Sequence, residues 1–185
     1  MNIALLIAGG SGNRMGQDIP KQFMNVDGYP VIIRTMQCFQ THPDIDALAV
    51  VCLKGWDTVL QAYANQFNIT KLKWIFPGGD TGMESIHNGI YGLKEQGCKD
   101  DDLVLIHDSV RPLLDQDIIS SNIAICNAYG YAITGIRCRE AILESEDGFL
   151  SRTSIPRDKL IRTQTSQTFR LKNIIKAHEE ARERG

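Results

Sequence analysis

No apolar run in this 185-residue chain approaches the length of a membrane span, so no bilayer crossing is expected. The apolar stretch 3–8 has no basic region before it and is too short for a signal peptide, which leaves a soluble cytoplasmic protein as the expectation. Charge of one sign is also lacking: 20 Lys+Arg against 22 Asp+Glu leave a net charge of -2. Without a basic field, a nucleic acid polymer or an anionic membrane surface is not an expected partner, and any anion binding must be local. The cysteines lack a pattern. Five of them, Cys38, Cys52, Cys98, Cys126 and Cys138, are scattered with no Cys-x-x-Cys pair and no histidine at ligand spacing. That argues against a disulfide scaffold or zinc ribbon and for buried reduced thiols. Internal repeats, low-complexity tracts and linkers are absent as well, so residues 1–185 are read as one domain.

What is present is enough apolar residue, 43%, to bury a core, arranged as an alternation. Short continuous apolar runs at 3–8, 47–52, 74–76, 103–106 and 131–136 suit strands buried on both faces. Between them, Ile32, Ile33, Met36 and Phe39 follow a helical repeat. So do Val59, Leu60, Tyr63 and Phe67, then Ile86, Ile90 and Leu93, then Ile118, Ile119, Ile123 and Ile125. Strand alternating with helix predicts an α/β protein: a three-layer α/β/α sandwich around a mostly parallel sheet, Rossmann-like, with ligands beyond the carboxyl ends of the strands. Three segments that interrupt the rhythm, 9–23, 78–85 and 107–112, each follow a strand and therefore fall on that edge. Past Ile136 the chain turns polar and arginine-rich. An irregular arm over about 138–169 is expected there, reaching a partner subunit, before a charged helix over 171–184.

The segment Ala8-Gly-Gly-Ser-Gly-Asn-Arg-Met-Gly-Gln-Asp-Ile-Pro-Lys-Gln-Phe23 carries Gly9, Gly10, Gly12 and Gly16 directly after the first strand. Glycines let backbone N–H groups close on a phosphate without a side chain intervening. A Walker A loop would need Gly-Lys followed by Ser or Thr, which is missing. The dinucleotide fingerprint would need a third glycine where Met15 stands, which counts against a Rossmann dehydrogenase. The distinctive feature is a pair of cations, Arg14 and Lys21, with Pro20 fixing the backbone before the lysine. Glycine N–H groups, an arginine and a lysine together suit a triphosphate. A solvated loop with both cations in water is the plainer alternative.

Two further segments lie on the same edge. Asp108 closes a buried strand and offers a hard oxygen ligand suited to Mg2+, which binds through one or two carboxylates plus substrate phosphates. A helix cap or turn role accounts for the same aspartate. Gly78-Gly79-Asp80 with Ser85 precedes a helix, so its N–H groups and short polar side chains are placed to read the edges of a base. A plain loop with an N-cap at Thr81 is the alternative there. Arg111, three residues from Asp108, is expected to fix that carboxylate or the loop, and His107 is given no catalytic role.

The A-G-G-x-G-x-R-M-G-x-x-x-P-K-Q-F pattern of residues 8–23 resembles the opening signature of the cytidylyltransferases that activate small polyol phosphates, the IspD and TarI types. Gly78-Gly79-Asp80 with Ser85, and His107-Asp108-Ser109-Val110-Arg111-Pro112, resemble the family's next two segments, and Ser154-Ile-Pro-Arg-Asp158 its substrate-arm arginine. The resemblance implies a nucleotidyltransferase fold and transfer of CMP from CTP to ribitol 5-phosphate or 2-C-methyl-D-erythritol 4-phosphate, with release of pyrophosphate. It implies catalytic roles for Arg14, Lys21 and Arg157 and nucleotide contacts at Ala8, Gly9, Gly10, Gly12, Gly79, Asp80, Ser85 and Ser109. It further implies Mg2+ on Asp108 and a homodimer joined through the arm. No general base is required, because a phosphate monoester is already ionised.

Three departures stand against the family pattern. Glu140-Ala141 replaces a common Asp-Thr pair, which removes a hydroxyl expected on the polyol. Ser166 takes the place of the proline in Q-T-P-Q-F, loosening a local constraint. The family also runs some tens of residues further, to a late phosphate-contacting lysine, so this chain is expected to be a fragment or to lack part of the catalytic set. Two alternatives follow: a non-catalytic nucleotide-binding protein, or a sugar-phosphate nucleotidyltransferase using another NTP. The Pro20-Lys21-Gln22-Phe23 continuation counts against the second. Val110, Trp56 and the Ile155-Pro156-Arg157 spelling lean toward the ribitol type.

Overall fold

The computed structural model describes residues 1–10 and 19–184. Strand β1 (Asn2–Ala8) pairs in parallel with β4 (Ala47–Cys52) on one side and with β6 (Leu103–Asp108) on the other. A two-residue hairpin, β2 (Asn25–Val26) and β3 (Tyr29–Pro30), stands apart from the main sheet. Outside β4 lies β5 (Leu72–Pro77), also parallel. Beyond β6 the sheet continues through β10 (Ile161–Arg170) to β7 (Tyr131–Arg137), giving the order β5-β4-β1-β6-β10-β7. β10 is antiparallel to both neighbours.

The apolar runs of β1, β4 and β6 are continuous because each of these strands is covered twice, whereas β7, expected to be buried on both faces, is an edge strand that leaves Tyr131, Ile133 and Ile136 exposed. Ala4, Leu6 and Ala8 of β1, with Leu48 and Val50 of β4, face α1 (Val31–Gln40), α2 (Asp57–Gln66) and α4 (Gln116–Tyr129). The intervening residues Ile3, Leu5, Ala47, Ala49 and Val51 face α3 (Gly82–Glu95) and α5 (Leu171–Arg184). Side chains alternate across a strand, so a strand with helices on both faces has no position left for a polar residue. The helical repeats read from sequence coincide with α1 to α4. Ile125 is the exception to the buried stripe, 47% exposed on the outer side of α4. Four of the five cysteines are buried, Cys38 is half-buried, and all are reduced.

The arm expected over 138–169 is corrected. Only its first part departs from the sheet, as the hairpin β8 (Ile142–Glu144) and β9 (Thr153–Ile155). Residues 161–170 are a sheet strand, wedged between β6 and β7. The sequence shows no apolar run there because β10 buries polar side chains that bond residues of α4 and β6. Ser166 and Thr168 are fully buried. Thr168 Oγ1 donates to Asn122 Oδ1 at 3.1 Å, Asn122 Nδ2 donates to Thr134 Oγ1 at 2.9 Å, and Thr134 Oγ1 donates to the Ser166 carbonyl at 2.7 Å. A satisfied polar ladder is as buriable as an apolar one, and hydrophobic periodicity does not register it.

Candidate active site

Beyond the carboxyl ends of β1, β5 and β6 is a cavity of about 530 Å³. Ala8, Gly9 and Gly10 leave β1 into it, and Lys21 enters from a 3-10 turn (Lys21–Phe23). Gly79, Asp80 and Ser85 come from the turn into α3, and Asp108 and Ser109 from the end of β6. Nine of the residues singled out in the sequence thus converge on one cavity. Gly12 and Arg14 lie outside the described residues. Arg157 does not line this cavity. It sits in a turn after the arm hairpin, its Nη1 donating to the Arg139 carbonyl at 3.1 Å.

Two chain crossings force the glycines. A Cβ on Gly9 would lie 2.8 Å from Ser85 Oγ and 3.1 Å from the Gly78 Cα, and one on Gly78 would lie 2.9 Å from the Gly9 Cα. The first and second loops therefore touch backbone to backbone, a requirement of packing rather than of ligand approach. The N–H groups of the second loop are likewise already committed, which corrects the expectation that they read a base. Gly78 N donates to the Cys52 carbonyl at 2.7 Å, Gly79 N to Ser85 Oγ at 3.1 Å, and Asp80 N to Glu84 Oε2 at 2.7 Å. Thr81 and Glu84 complete a capping box on α3. What this wall leaves for a ligand is backbone carbonyls, the Asp80 carboxylate, and the hydroxyls of Thr81 and Ser85, which accept from Glu84 N and Gly79 N and keep an O–H to donate.

On the opposite wall, Arg111 Nε donates to Asp108 Oδ2 at 2.6 Å, and Arg111 Nη1 donates to Gln164 Oε1 at 2.9 Å. Arg111 thus fixes the carboxylate from one side. Among the described residues, no group of three His, Cys, Asp or Glu side chains is placed to hold a metal ion. This wall offers one carboxylate, Asp108, of which the oxygen not bonded to Arg111 is available. That fits Mg2+, whose remaining ligands come from phosphate and water. His107 is buried and bonded at both nitrogens, 3.1 Å from the Arg111 carbonyl through Nε2 and 3.1 Å from Ser166 Oγ through Nδ1. A carbonyl only accepts, so Nε2 carries the proton and Nδ1 accepts from the Ser166 hydroxyl. Burial holds the His107 pKa below its usual value, so the ring is neutral and supports the wall. Ser166, read as a loosening replacement for proline, supplies a bond that proline could not.

Two supporting residues were not given roles from the sequence. Gln22, 1% exposed, donates from Nε2 to the Ala8 carbonyl at 2.8 Å and the Gly10 carbonyl at 2.9 Å, pinning the strand end. Thr35 of α1 donates to the Ser109 carbonyl at 2.8 Å. Gln22 stood inside a quoted motif, and an amide beside a glycine turn was its only signal. Thr35 had none, since its partner is 74 residues away. Trp56 stacks on Phe23 with ring centroids 4.6 Å apart, holding the turn that carries Lys21. At the base of the arm a separate cavity of about 520 Å³ is lined by Arg137, Arg139, Arg162 and Glu140. Glu140 there accepts from Arg162 Nη1 at 2.9 Å.

An open α/β sheet with a glycine turn, a lysine and a carboxylate on its carboxyl edge defines a nucleotide-handling protein of the nucleotidyltransferase class. The chain belongs to the IspD family, 2-C-methyl-D-erythritol 4-phosphate cytidylyltransferase, whose family model matches residues 2–185. It is 39% identical over 181 residues to the ribitol-5-phosphate cytidylyltransferase of Lacticaseibacillus paracasei, covering 98% of this chain and 77% of that relative. It is 36% identical over 177 residues to the 2-C-methyl-D-erythritol 4-phosphate cytidylyltransferase of Clostridium tetani, covering 96% and 70%. The fold matches the crystal structure of the Francisella tularensis 2-C-methyl-D-erythritol 4-phosphate cytidylyltransferase with a TM-score of 0.77 at 24% identity, over 100% of this chain and 79% of that one.

Proposed function

We propose that this protein transfers CMP from CTP to a small polyol phosphate and releases pyrophosphate. The observation that carries the reading is the convergence of the Gly9–Gly10 turn, Lys21, the Gly79–Asp80 wall and Asp108 on one cavity. Ribitol 5-phosphate is the alcohol favoured, because relatives named for it match at 37–39% identity and those named for 2-C-methyl-D-erythritol 4-phosphate at 35–36%.

In this reading the Gly79–Asp80 wall receives the exocyclic amino group of cytosine on its carbonyls and the Asp80 carboxylate, and the Ser85 hydroxyl donates to the base. The Lys21 ammonium offsets charge on the phosphates, joined by Gly10, Gly12 and Arg14 of the first loop. Asp108, steadied by Arg111, would hold Mg2+, which when bound neutralises charge on the triphosphate. The Ser109 hydroxyl, without a partner among the described residues, donates to a phosphate oxygen. The substrate phosphate attacks the α-phosphorus in line and needs a cation against like-charge repulsion. Arg157 serves in that role from a second copy, the arm forming the dimer contact. Phe149 and Leu150 at the arm tip, 92% and 75% exposed, support an interface there.

The test is pyrophosphate release from CTP with each polyol phosphate, for the wild type and Lys21→Ala. The variant is expected to lose about 10²-fold or more in turnover while staying folded. An unchanged rate removes the main support for the mechanism. CTP binding without pyrophosphate release on either alcohol would favour the non-catalytic alternative.

A further inference from the structure

A second cavity, of about 600 Å³, lies between α3 and α5. It shares Gly79 and Asp80 with the first, Gly78 and Glu84 on its rim brace the loop described above, and its remaining residues take no part in that site. On α5, His178 and Arg182 are four residues apart and so lie on one face. On α3, His87 and Asn88 face them. His178 is 9% exposed and makes no hydrogen bond with any described residue. A buried imidazole carries one N–H and one lone pair, or two N–H groups, and buried polar atoms in native proteins are almost always partnered. The ring nitrogens of His178 are not among the fully buried unpartnered atoms, so they open on the cavity, where an anion or water can bond them.

The surroundings indicate the partner's charge. The His87 ring is 6.4 Å from the His178 ring, centroid to centroid, and stacks on Tyr91 at 4.3 Å. Asn88 Nδ2 donates to the Pro77 carbonyl, which fixes the amide so that Oδ1 faces His87 Nδ1 at 3.5 Å. A proton on His87 Nδ1 is thereby favoured, and Nε2 is the remaining polar atom of that ring. Arg182 is in no ion pair among the described residues, whereas Arg184 pairs with Glu180. Two carboxylates also border the cavity. Glu84 is engaged with the N–H groups of Asp80 and Thr81 at the start of α3. Asp80 sits on the wall common to both cavities. Burial and the neighbouring His87 hold the His178 pKa below its usual value, so the cavity offers the Arg182 guanidinium and a neutral ring, with the Asp80 and Glu84 carboxylates at its border.

We infer that the α3–α5 cavity is a second, anion-binding site that takes a phosphate group, inorganic or as a monoester, between Arg182, His178 and His87. A tetrahedral anion is the ligand that uses the guanidinium fork and both rings at once. The shared Gly79–Asp80 wall places its occupant directly behind the nucleotide loop, so occupancy bears on the loop's position.

The chain has four histidines, which makes the test self-controlled. Ring resonances of the full chain, followed by NMR, are titrated with inorganic phosphate and separately with glycerol 3-phosphate. His87 and His178 are expected to shift saturably. His107, beside the first cavity, and His42, bonded to Ser120 elsewhere, are expected to stay in place. Saturation by phosphate, by the monoester or by both identifies the source. Arg182→Gln should weaken binding at least about tenfold, while Arg184→Gln leaves it unchanged. Absent or non-saturable shifts at His178, a response confined to His107, or an Arg182→Gln titration identical to wild type would overturn the site and leave the cavity to water.

Discussion

Gly79 is the position where a single methyl group tests the architecture of the site. An ideal Cβ there would lie 2.3 Å from Glu84 Cβ, 3.0 Å from the Glu84 carbonyl carbon and 3.1 Å from Ser85 N. Carbon atoms in contact sit roughly 3.5–4.0 Å apart, so Gly79→Ala overlaps by more than an ångström. Two of the three neighbours are backbone, and no rotamer change relieves the clash. The loop must move off α3. That movement breaks the bonds from Gly79 N to Ser85 and from Asp80 N to Glu84, and it weakens the capping box. At roughly 1 kcal/mol for each bond, the loss is about 2–3 kcal/mol. For a chain of this size that corresponds to a fall in Tm of about 5–10 °C. Gly82, three residues on, is the control: a Cβ there meets nothing within 4 Å. Gly82→Ala in the first turn of α3 should stabilise by roughly 0.4–1 kcal/mol. Calorimetry on both variants measures the contrast, and the KM for CTP should rise for Gly79→Ala. Equal Tm values for Gly79→Ala and wild type would refute the reasoning that this glycine is fixed by contact with α3.

The remaining predictions concern the supports of the site. Arg111→Gln releases Asp108 and Gln164; because the Asp108–Arg111 pair is half exposed, stability should change by less than about 1 kcal/mol. With Mg2+ held on Asp108 as proposed, the Mg2+ concentration needed for pyrophosphate release should rise severalfold, and an unchanged Mg2+ titration would refute that assignment. Both His107 and His178 have pKa values lowered by burial, so the unfolded chain binds more protons below the ordinary value of 6.5. Stability should therefore be fully present above pH 6.5 and fall as the pH drops toward the folded-state values, with a slope of up to about 1.4 kcal/mol per pH unit for each ring. Urea midpoints from pH 7.5 to 5 measure the slope, and His107→Gln should flatten it whatever its effect on the absolute stability. Cys52 is buried, and burial with Asp57 nearby pushes its pKa up to about 12. Mass spectrometry after iodoacetamide at pH 8.5 should find it unmodified in the native protein and modified in urea, and native labelling would contradict this burial.

What could be read without coordinates divides along one physical line. Apolar runs and helical repeats located β1, β4, β5, β6, β7 and α1 to α4, because burial on one or both faces imposes a period that the composition must obey, and α5 was placed from its charged pattern. β10 escaped. Its buried positions are Ser166 and Thr168, whose partners Asn122, Thr134 and His107 lie on other elements, and no window along the chain contains both ends of those bonds. Much of what had been read as an arm is for that reason a strand of the sheet.

The site divides in the same way. Residue types and order alone determined which groups stand at strand ends, because a glycine turn, a lysine and an aspartate each mark a local chemistry after a buried run. Tertiary structure decided how those groups are engaged. It assigned the Gly78–Asp80 N–H groups to the protein itself, tied Asp108 to Arg111, pinned the first loop through Gln22 and left Arg157 off the cavity that holds Lys21. The sequence determined the inventory of functional groups and the sheet edge they share. Which donors and acceptors remain free for a ligand depends on contacts between residues far apart in the chain, and those exist only once the layers have packed.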